Sequence, residues 1–197
     1  MSSLIQLING KLYDVFNPDA SVLDEQVVAY GLANKGRFSG QSLFYSVAQH
    51  SVLVSYLCPR EIAYEGLMHD AAESVLGDVP TPIKHSTEFS FFRELEEKNE
   101  SAFVERFKLS PEKLAQVKMY DKLALAIEAI DLMDARLKSH WKEVLNEFGL
   151  WDINSIPWQA EKCRPGNGLW GPPTFPGKDH LGAKSQFLYR YYELCPQ

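Results

Sequence analysis

The chain has 197 residues and a formal net charge of −6, because 26 acidic side chains outnumber 20 basic ones. This length suits a domain with a sizeable core, and the 45% of hydrophobic residues argue against a disordered or fibrous protein. The negative charge argues against a nucleic-acid polymer as partner, since such binding needs a positive surface. No apolar run approaches the ~20 residues of a membrane span. We expect a cytoplasmic protein, because the three cysteines form no CxxC pair and no secretory signal is visible.

The first part of the chain predicts a β-hairpin followed by helices. Residues 4–16 form two short strand-like runs around Asn9-Gly10, a pair typical of a two-residue hairpin turn. The pattern then becomes helical, with one helix predicted over 24–32 and a second over 46–57.

The middle of the chain predicts three more helices and one rigid loop. The third helix should run from Pro59 to Gly77, since proline is favoured in a first turn and glycine after a last one. The segment GDVPTPIK at 77–84 predicts a loop, because two prolines and a glycine do not suit a regular element. Further helices are predicted over 87–107 and over 110–138.

The C-terminal part has a different composition. Residues 152–179 contain five prolines, four glycines and two tryptophans, which predict an ordered loop or an arm, and a last helix follows over 184–194. We therefore expect an all-α fold with one helical domain at 1–150. The extension at 151–197 should pack on that domain or on a neighbouring subunit, and the second arrangement implies a homo-oligomer.

Three chemically active residues lie close together in the third predicted helix. His69, Asp70 and Glu73 fall within about one turn, and the residues around them are largely apolar. Burying two carboxylates and an imidazole costs free energy unless positive charge compensates them. A divalent metal is the simplest compensation, and the alternative is a surface cluster that faces water.

Two more polar residues interrupt apolar helical patterns elsewhere. His50 lies in the second predicted helix and Asp121 in the long one. Each has an ordinary explanation: His50 as a core or surface histidine, and Asp121 as a surface aspartate paired with a neighbouring lysine. Together with His69 and Asp70, they form a set of two imidazoles and two carboxylates. Such a set suits Mn, Co, Fe, Ni or Zn better than Mg.

The ordered pattern H…HD…D, here His50, His69-Asp70 and Asp121, resembles the HD-domain metal-dependent phosphohydrolases. The resemblance covers about residues 24–138 and implies a helical HD-domain bundle with these four residues as metal ligands. Two further aspartates on the same predicted helix are alternatives to Asp121, which is preferred because it opens the DKLALA segment.

Two sequence blocks sharpen this resemblance. The block HDAAESVLGDVPTPIK at 69–84 is similar to the signature of bacterial 5′-deoxynucleotidases. The block FYSVAQHSVLVS, together with RFSG at 37–40, resembles the phage branch that includes dATP triphosphohydrolases. We therefore expect a deoxynucleotide phosphohydrolase with dATP as its substrate. The alternatives are a 5′-nucleotidase on deoxynucleoside monophosphates and a non-catalytic binding module.

The same resemblance implies roles for five other residues. Glu73 would hold or deprotonate the attacking water, and Asp78 would do acid–base work, although spacing does not decide which is the base. Arg37 and Lys84 would bind the substrate phosphates, which would also carry Mg²⁺. Phe38 would pack on the sugar or base, or else belong to the core. Without the resemblance, Asp78 is a turn residue and both cations are surface charges.

Overall fold

The computed structural model describes residues 3–134, 136, 138–147, 149, 160, 163, 165 and 180–196. The described chain is mostly helical with a two-stranded antiparallel hairpin at its start, which confirms the predicted all-α class. The strands are β1 (Leu4–Gln6) and β2 (Leu12–Asp14), and the α-helices are α1 (Glu25–Ala33), α2 (Val47–Leu57), α3 (Ala63–Met68), α4 (Glu73–Leu76), α5 (Thr81–Lys84), α6 (Ser90–Phe107), α7 (Pro111–Leu132), α8 (Lys138–Glu147) and α9 (His180–Leu194). Short 3-10 helices lie between them at Ala20–Val22, Phe38–Gly40, Arg60–Ile62 and Thr87–Phe89.

The hairpin is confirmed, but its turn is one residue longer than predicted. The amide of Leu7 donates to the Lys11 carbonyl at 2.8 Å, and the amide of Gly10 donates to the Leu7 carbonyl at 3.0 Å. This pattern leaves a three-residue loop that ends on Gly10 at φ +82°. The prediction of a two-residue turn was wrong because the left-handed position falls on the glycine alone.

The hairpin is fastened to α6 by buried hydrogen bonds. Tyr13 is fully buried, and its hydroxyl donates to Oδ1 of Asn99 at 2.7 Å. The amide of the Asn99 side chain donates to the carbonyl of Val15 at 2.9 Å. These bonds satisfy polar groups inside the core and fix α6 relative to the N-terminal strands.

The helices α1 and α2 begin where their capping residues predict. Asp24 accepts a hydrogen bond from the amide of Val27 at 2.9 Å, and Ser46 forms a capping box with Gln49. Almost every residue of α2 is buried, and the helix packs against α1, α3, α7 and α9. Side chains on α2 therefore point into the centre of the described fold.

The helix predicted from Pro59 to Gly77 is interrupted, and that prediction was wrong. After α3 ends at Met68, the chain continues with i→i+3 hydrogen bonds until α4 begins at Glu73. The amide of Glu73, for example, donates to the carbonyl of Asp70 at 2.9 Å. This tightened turn lets α4 pack on α1, where the ammonium of Lys35 donates to the Ser74 carbonyl at 2.8 Å.

Two other element boundaries also differ from the prediction. The segment at 77–84 contains a one-turn helix, α5, because Pro82 occupies the second helical position, where no amide hydrogen is needed. The helix predicted over 110–138 ends at Leu132, since Met133 is extended with ψ 172°, and α8 begins at residue 138. The predicted arm at 152–179 lies outside the described residues, apart from single positions.

The last helix is confirmed, although it begins at His180 instead of 184. Arg190 fastens it to α2, because its Nε donates to Oγ of Ser55 at 3.0 Å and its Nη2 to the Ser55 carbonyl at 3.1 Å. The same guanidinium lies 3.8 Å from the ring centroid of Tyr56. Within the described part of the chain, no helix has both the length and the apolar character that crossing a membrane requires.

The close approach of α1 and α4 gives a test of the fold. A Cβ atom on Gly31 would lie 2.5 Å from the carbonyl oxygen of Ser74, so Gly31→Ala should force the backbones apart. We expect the free energy of unfolding to fall by about 1–3 kcal/mol, measured by urea titration. The control is Gly36→Ala, since nothing lies within 4 Å of a Cβ there, and its change should stay within ~0.5 kcal/mol. Equal stabilities for the two variants would contradict this packing.

Candidate metal centre

Three helices bring the predicted histidines and Asp121 to one point. His50 comes from α2, His69 follows the last residue of α3, and Asp121 lies in the middle of α7. The Nε2 atoms of the two histidines are 3.3 Å apart. Oδ1 of Asp121 lies 3.0 Å from Nε2 of His50 and 3.8 Å from Nε2 of His69. Together, His50, His69 and Asp121 can hold a metal ion.

Asp70 adjoins the same two nitrogens. Its Oδ2 lies 3.2 Å from Nε2 of His69 and 3.6 Å from Nε2 of His50. All four predicted ligands are therefore brought together by the fold. Asp134, one of the sequence alternatives to Asp121, instead lies on the surface and pairs with Arg136 at 2.8 Å.

The outer ring nitrogens of both histidines are occupied by hydrogen-bond acceptors. Nδ1 of His50 lies 2.7 Å from Oε1 of Glu128, and Nδ1 of His69 lies 2.9 Å from the carbonyl oxygen of Gly66. Because both partners accept, each Nδ1 carries the hydrogen and each neutral ring has its lone pair on Nε2. This tautomer is the one that a metal-binding histidine uses.

The separations within the cluster also fit a shared cation. Ligand atoms placed ~2.1 Å from one ion stand ~3.4 Å apart at the tetrahedral angle. The five distances given above, from 3.0 to 3.8 Å, fall around this value. Two lone pairs that face each other across 3.3 Å repel unless a proton or a cation lies between them. The donor set therefore fits a divalent metal.

The charges of the cluster stabilise a bound cation. Burial raises the pKa of Asp70, but the neighbouring His69 outweighs burial and lowers the pKa to about 2. Burial lowers the pKa of His69, but Asp70 and Asp121 hold it well above its usual value. The carboxylates thus remain ionised and stabilise positive charge at the ring nitrogens.

Glu128 is a further residue of the candidate metal centre, and it was not predicted from the sequence. It is fully buried on α7, where its Oε1 meets His50 and its Oε2 accepts from Nε of Arg37 at 3.0 Å. The available signal was its position seven residues after Asp121, which is two helical turns along the same face. Glu128 joins the candidate metal centre to the arginine predicted to bind phosphate.

The two predicted acid–base residues lie near this centre in a strongly acidic environment. Burial, together with Asp70 and Asp78, raises the pKa of Glu73 to about 9. Its Oε2 is buried without a hydrogen-bond partner among the described residues. Burial also raises the pKa of Asp78, while Arg37 opposes that rise. Both carboxyl groups are therefore biased toward carrying a proton.

Of the three predicted substrate-binding residues, Arg37 and Lys84 each pair with a glutamate, and Phe38 lies beside Arg37. The side chain of Arg37 is only 13% exposed, and its guanidinium lies 5.6 Å from the ring centroid of Phe38. Phe38 takes a left-handed backbone conformation with φ +54°, which is strained for a bulky residue. Nζ of Lys84 lies 2.6 Å from Oε1 of Glu96. Both predicted phosphate ligands are thus already paired with a carboxylate of the chain.

A cavity of about 710 Å³ opens between α6 and α7 beside the candidate metal centre. His69, Asp70 and Asp121 form part of its wall, and the side chain of Asp121 is 44% exposed there. This volume lies within the range of small-molecule sites. Among the described residues, the wall includes none of the three predicted substrate-binding side chains.

The buried Glu128 allows a test of the metal centre apart from any activity. We expect Glu128→Gln to weaken Co²⁺ binding by about 10- to 100-fold, because His50 loses the carboxylate that fixes its tautomer. Isothermal titration of Co²⁺ into metal-free protein measures the affinity, and circular dichroism checks folding. The matched control is Glu112→Gln, an exposed position at the start of the same helix. Equal affinities for both variants would exclude the role given to Glu128.

The chain is similar in sequence to two uncharacterized bacterial proteins. No family model matches it. The uncharacterized protein YfdR from Escherichia coli is 41% identical over 133 residues, which are 66% of this chain and 72% of YfdR. An uncharacterized protein from Rhodobacter capsulatus is 33% identical over 144 residues, which are 68% of this chain and 70% of that protein. On these identities and coverages, the chain belongs to the same protein family as YfdR.

Proposed function

We propose that the chain is a metal-dependent phosphohydrolase of the HD superfamily that acts on deoxynucleotides. One observation carries the proposal: the Nε2 atoms of His50 and His69 meet the carboxylate of Asp121 while both Nδ1 atoms are held by acceptors. The family resemblance of the HD block adds the choice of reaction. The donor set of two imidazoles and two carboxylates favours Co, Mn, Zn, Fe or Ni as the resident metal.

The chain's own carboxyl groups supply the acid–base chemistry in this proposal. A divalent cation in the centre would neutralise phosphate charge and make a nearby water more acidic. Glu73, with its pKa raised to about 9, holds a proton at neutral pH and suits donation to the leaving oxygen. Asp78 is less deeply buried and suits orientation of the attacking water.

The positively charged side chains near the centre limit how many substrate phosphates the site can neutralise. The leading candidate is dATP, with Mg²⁺ on its phosphates, because of the phage-like sequence blocks. The second candidate is a deoxynucleoside monophosphate, and the ion pairs favour it. Arg37 and Lys84 are each paired with a glutamate, so little positive charge remains for three phosphates.

A third reading is a helical binding module without catalysis. The carboxyl oxygen of Glu73 that has no partner among the described residues favours a site that engages a ligand or a water, as an enzyme requires. A module without catalysis gains nothing from two histidines with aligned lone pairs. The enzyme is therefore the better account, and the module predicts no release of phosphate from any nucleotide.

The direct test is a nucleotide panel. Metal-free protein is supplied with Co²⁺, Mn²⁺, Zn²⁺ or Mg²⁺ and then with deoxynucleoside mono-, di- and triphosphates, and the products are resolved by chromatography. We expect turnover with a transition metal and little with Mg²⁺ alone. Release of inorganic phosphate from a monophosphate identifies a nucleotidase, whereas release of triphosphate identifies a dATP triphosphohydrolase.

The matched variants for this panel are Asp70→Ala and Asp134→Ala. Loss of Asp70 should lower turnover by roughly 100-fold or more, since it removes a predicted metal ligand. Asp134 is exposed and pairs only with Arg136 among the described residues, so its loss should leave turnover unchanged. A folded, active Asp70→Ala protein without metal would overturn the assignment, and so would a wild-type protein that hydrolyses no nucleotide.

A further inference from the structure

The cavity between α6 and α7 has an apolar floor that is continuous with the metal centre. Its inner wall is formed by His69, Asp70 and Asp121, the residues assigned to the metal. Its floor consists of apolar side chains, several of them buried, from α3, α6, α7 and the link between α6 and α7: Met68, Phe103, Val104, Leu109, Leu114 and Val117. A molecule whose phosphate reaches the metal centre can therefore place a flat apolar body against this floor.

The rim of the cavity has a marked charge asymmetry. Glu97, Glu100 and Glu105 line it from α6, and Lys118 lines it from α7. Among the described residues these three glutamates form no ion pair, whereas Glu96 on the same helix is paired with Lys84. The rim thus offers acceptors and repels anions, so the phosphates of a substrate cannot lie along it.

We propose that this cavity binds the nucleoside part of the substrate and selects bases that carry an exocyclic amino group. The nucleotide identity of the ligand rests on the proposed function. Carboxylate oxygens accept hydrogen bonds, so they match the exocyclic amino groups of adenine, cytosine and guanine, whereas thymine has no such group. Thymine presents a carbonyl oxygen at the corresponding position, and two acceptors placed together repel.

One orientation of the ligand is consistent with the shape of the cavity, with the wall that it shares with the metal centre and with the charge of its rim. The phosphate lies at His69, Asp70 and Asp121, the sugar follows, and the base lies outward between α6 and α7. Arg37 and Lys84 lie outside the cavity wall, so they act on the phosphate and not on the base. The base preference is therefore set by α6 separately from the metal chemistry.

The test is equilibrium binding of free nucleosides, which needs no hydrolysis. Full-length protein loaded with Co²⁺ is dialysed against radiolabelled deoxyadenosine, deoxycytidine or thymidine. We expect both amino-bearing nucleosides to bind at least ~5-fold more tightly than thymidine. The double variant Glu97→Gln/Glu100→Gln should remove most of this difference, because an amide both donates and accepts. Glu94→Gln is the control, an exposed glutamate of α6 outside the cavity wall.

The outcomes separate this inference from the proposed function. Equal binding of the three nucleosides, no saturable binding of any, or a preference that survives the double variant would each overturn the inference. A preference that the double variant abolishes supports it, even if the panel of nucleotides shows no turnover. Turnover without base preference would leave the phosphohydrolase intact and refute the base site.

Discussion

A hydrogen bond of 2.7 Å joins Nδ1 of His50 to the carboxylate of Glu128 in the interior of the helical bundle, where neither side chain is exposed. Burying these two groups costs free energy that the bond alone does not return. The cost of burial is offset when the imidazole and the carboxylate also interact with other charged groups. Arg37 is the second partner of Glu128, and the cluster of His69, Asp70 and Asp121 lies at the other nitrogen of His50. The candidate metal centre and its surroundings follow from this one buried pair.

The tightened turn after α3 is the second constraint on the site. A regular helix through Asp70 would carry Glu73 around the axis at 100° per residue, and α4 could not pack against Gly31 as it does. The i→i+3 bonds and the absent side chain of Gly31 place α4 directly on α1. This packing holds Glu73 in an acidic and desolvated position, which is why its pKa is raised.

The local features of the fold were predictable from sequence because they depend on neighbouring residues. Ser46 and Asp24, for example, determine where their helices begin. The break after α3 was not predictable, since i→i+3 and i→i+4 bonding share one residue pattern and packing on α1 decides between them. The partner of Arg37 was missed for a similar reason, because the two residues lie 91 positions apart.

The acidic composition of the chain is distributed unevenly around the site. The carboxylates gather at the metal centre and along the rim of α6, while Arg37 and Lys84 are neutralised by glutamates. Carboxylates along the rim repel a polyanion, so the cavity suits a small ligand better than a nucleic-acid polymer. The cavity itself could not be predicted, because it arises from the separation of α6 and α7 in space.

We propose that His50, His69 and Asp121 hold one divalent cation. The most direct measurement is a crystal structure of the protein soaked with Co²⁺, with anomalous diffraction recorded on both sides of the cobalt edge. We expect one strong anomalous peak ~2.1 Å from Nε2 of both histidines and from Oδ1 of Asp121. Saturating Co²⁺ with no peak at this position, or with a peak only at other residues, would contradict this proposal.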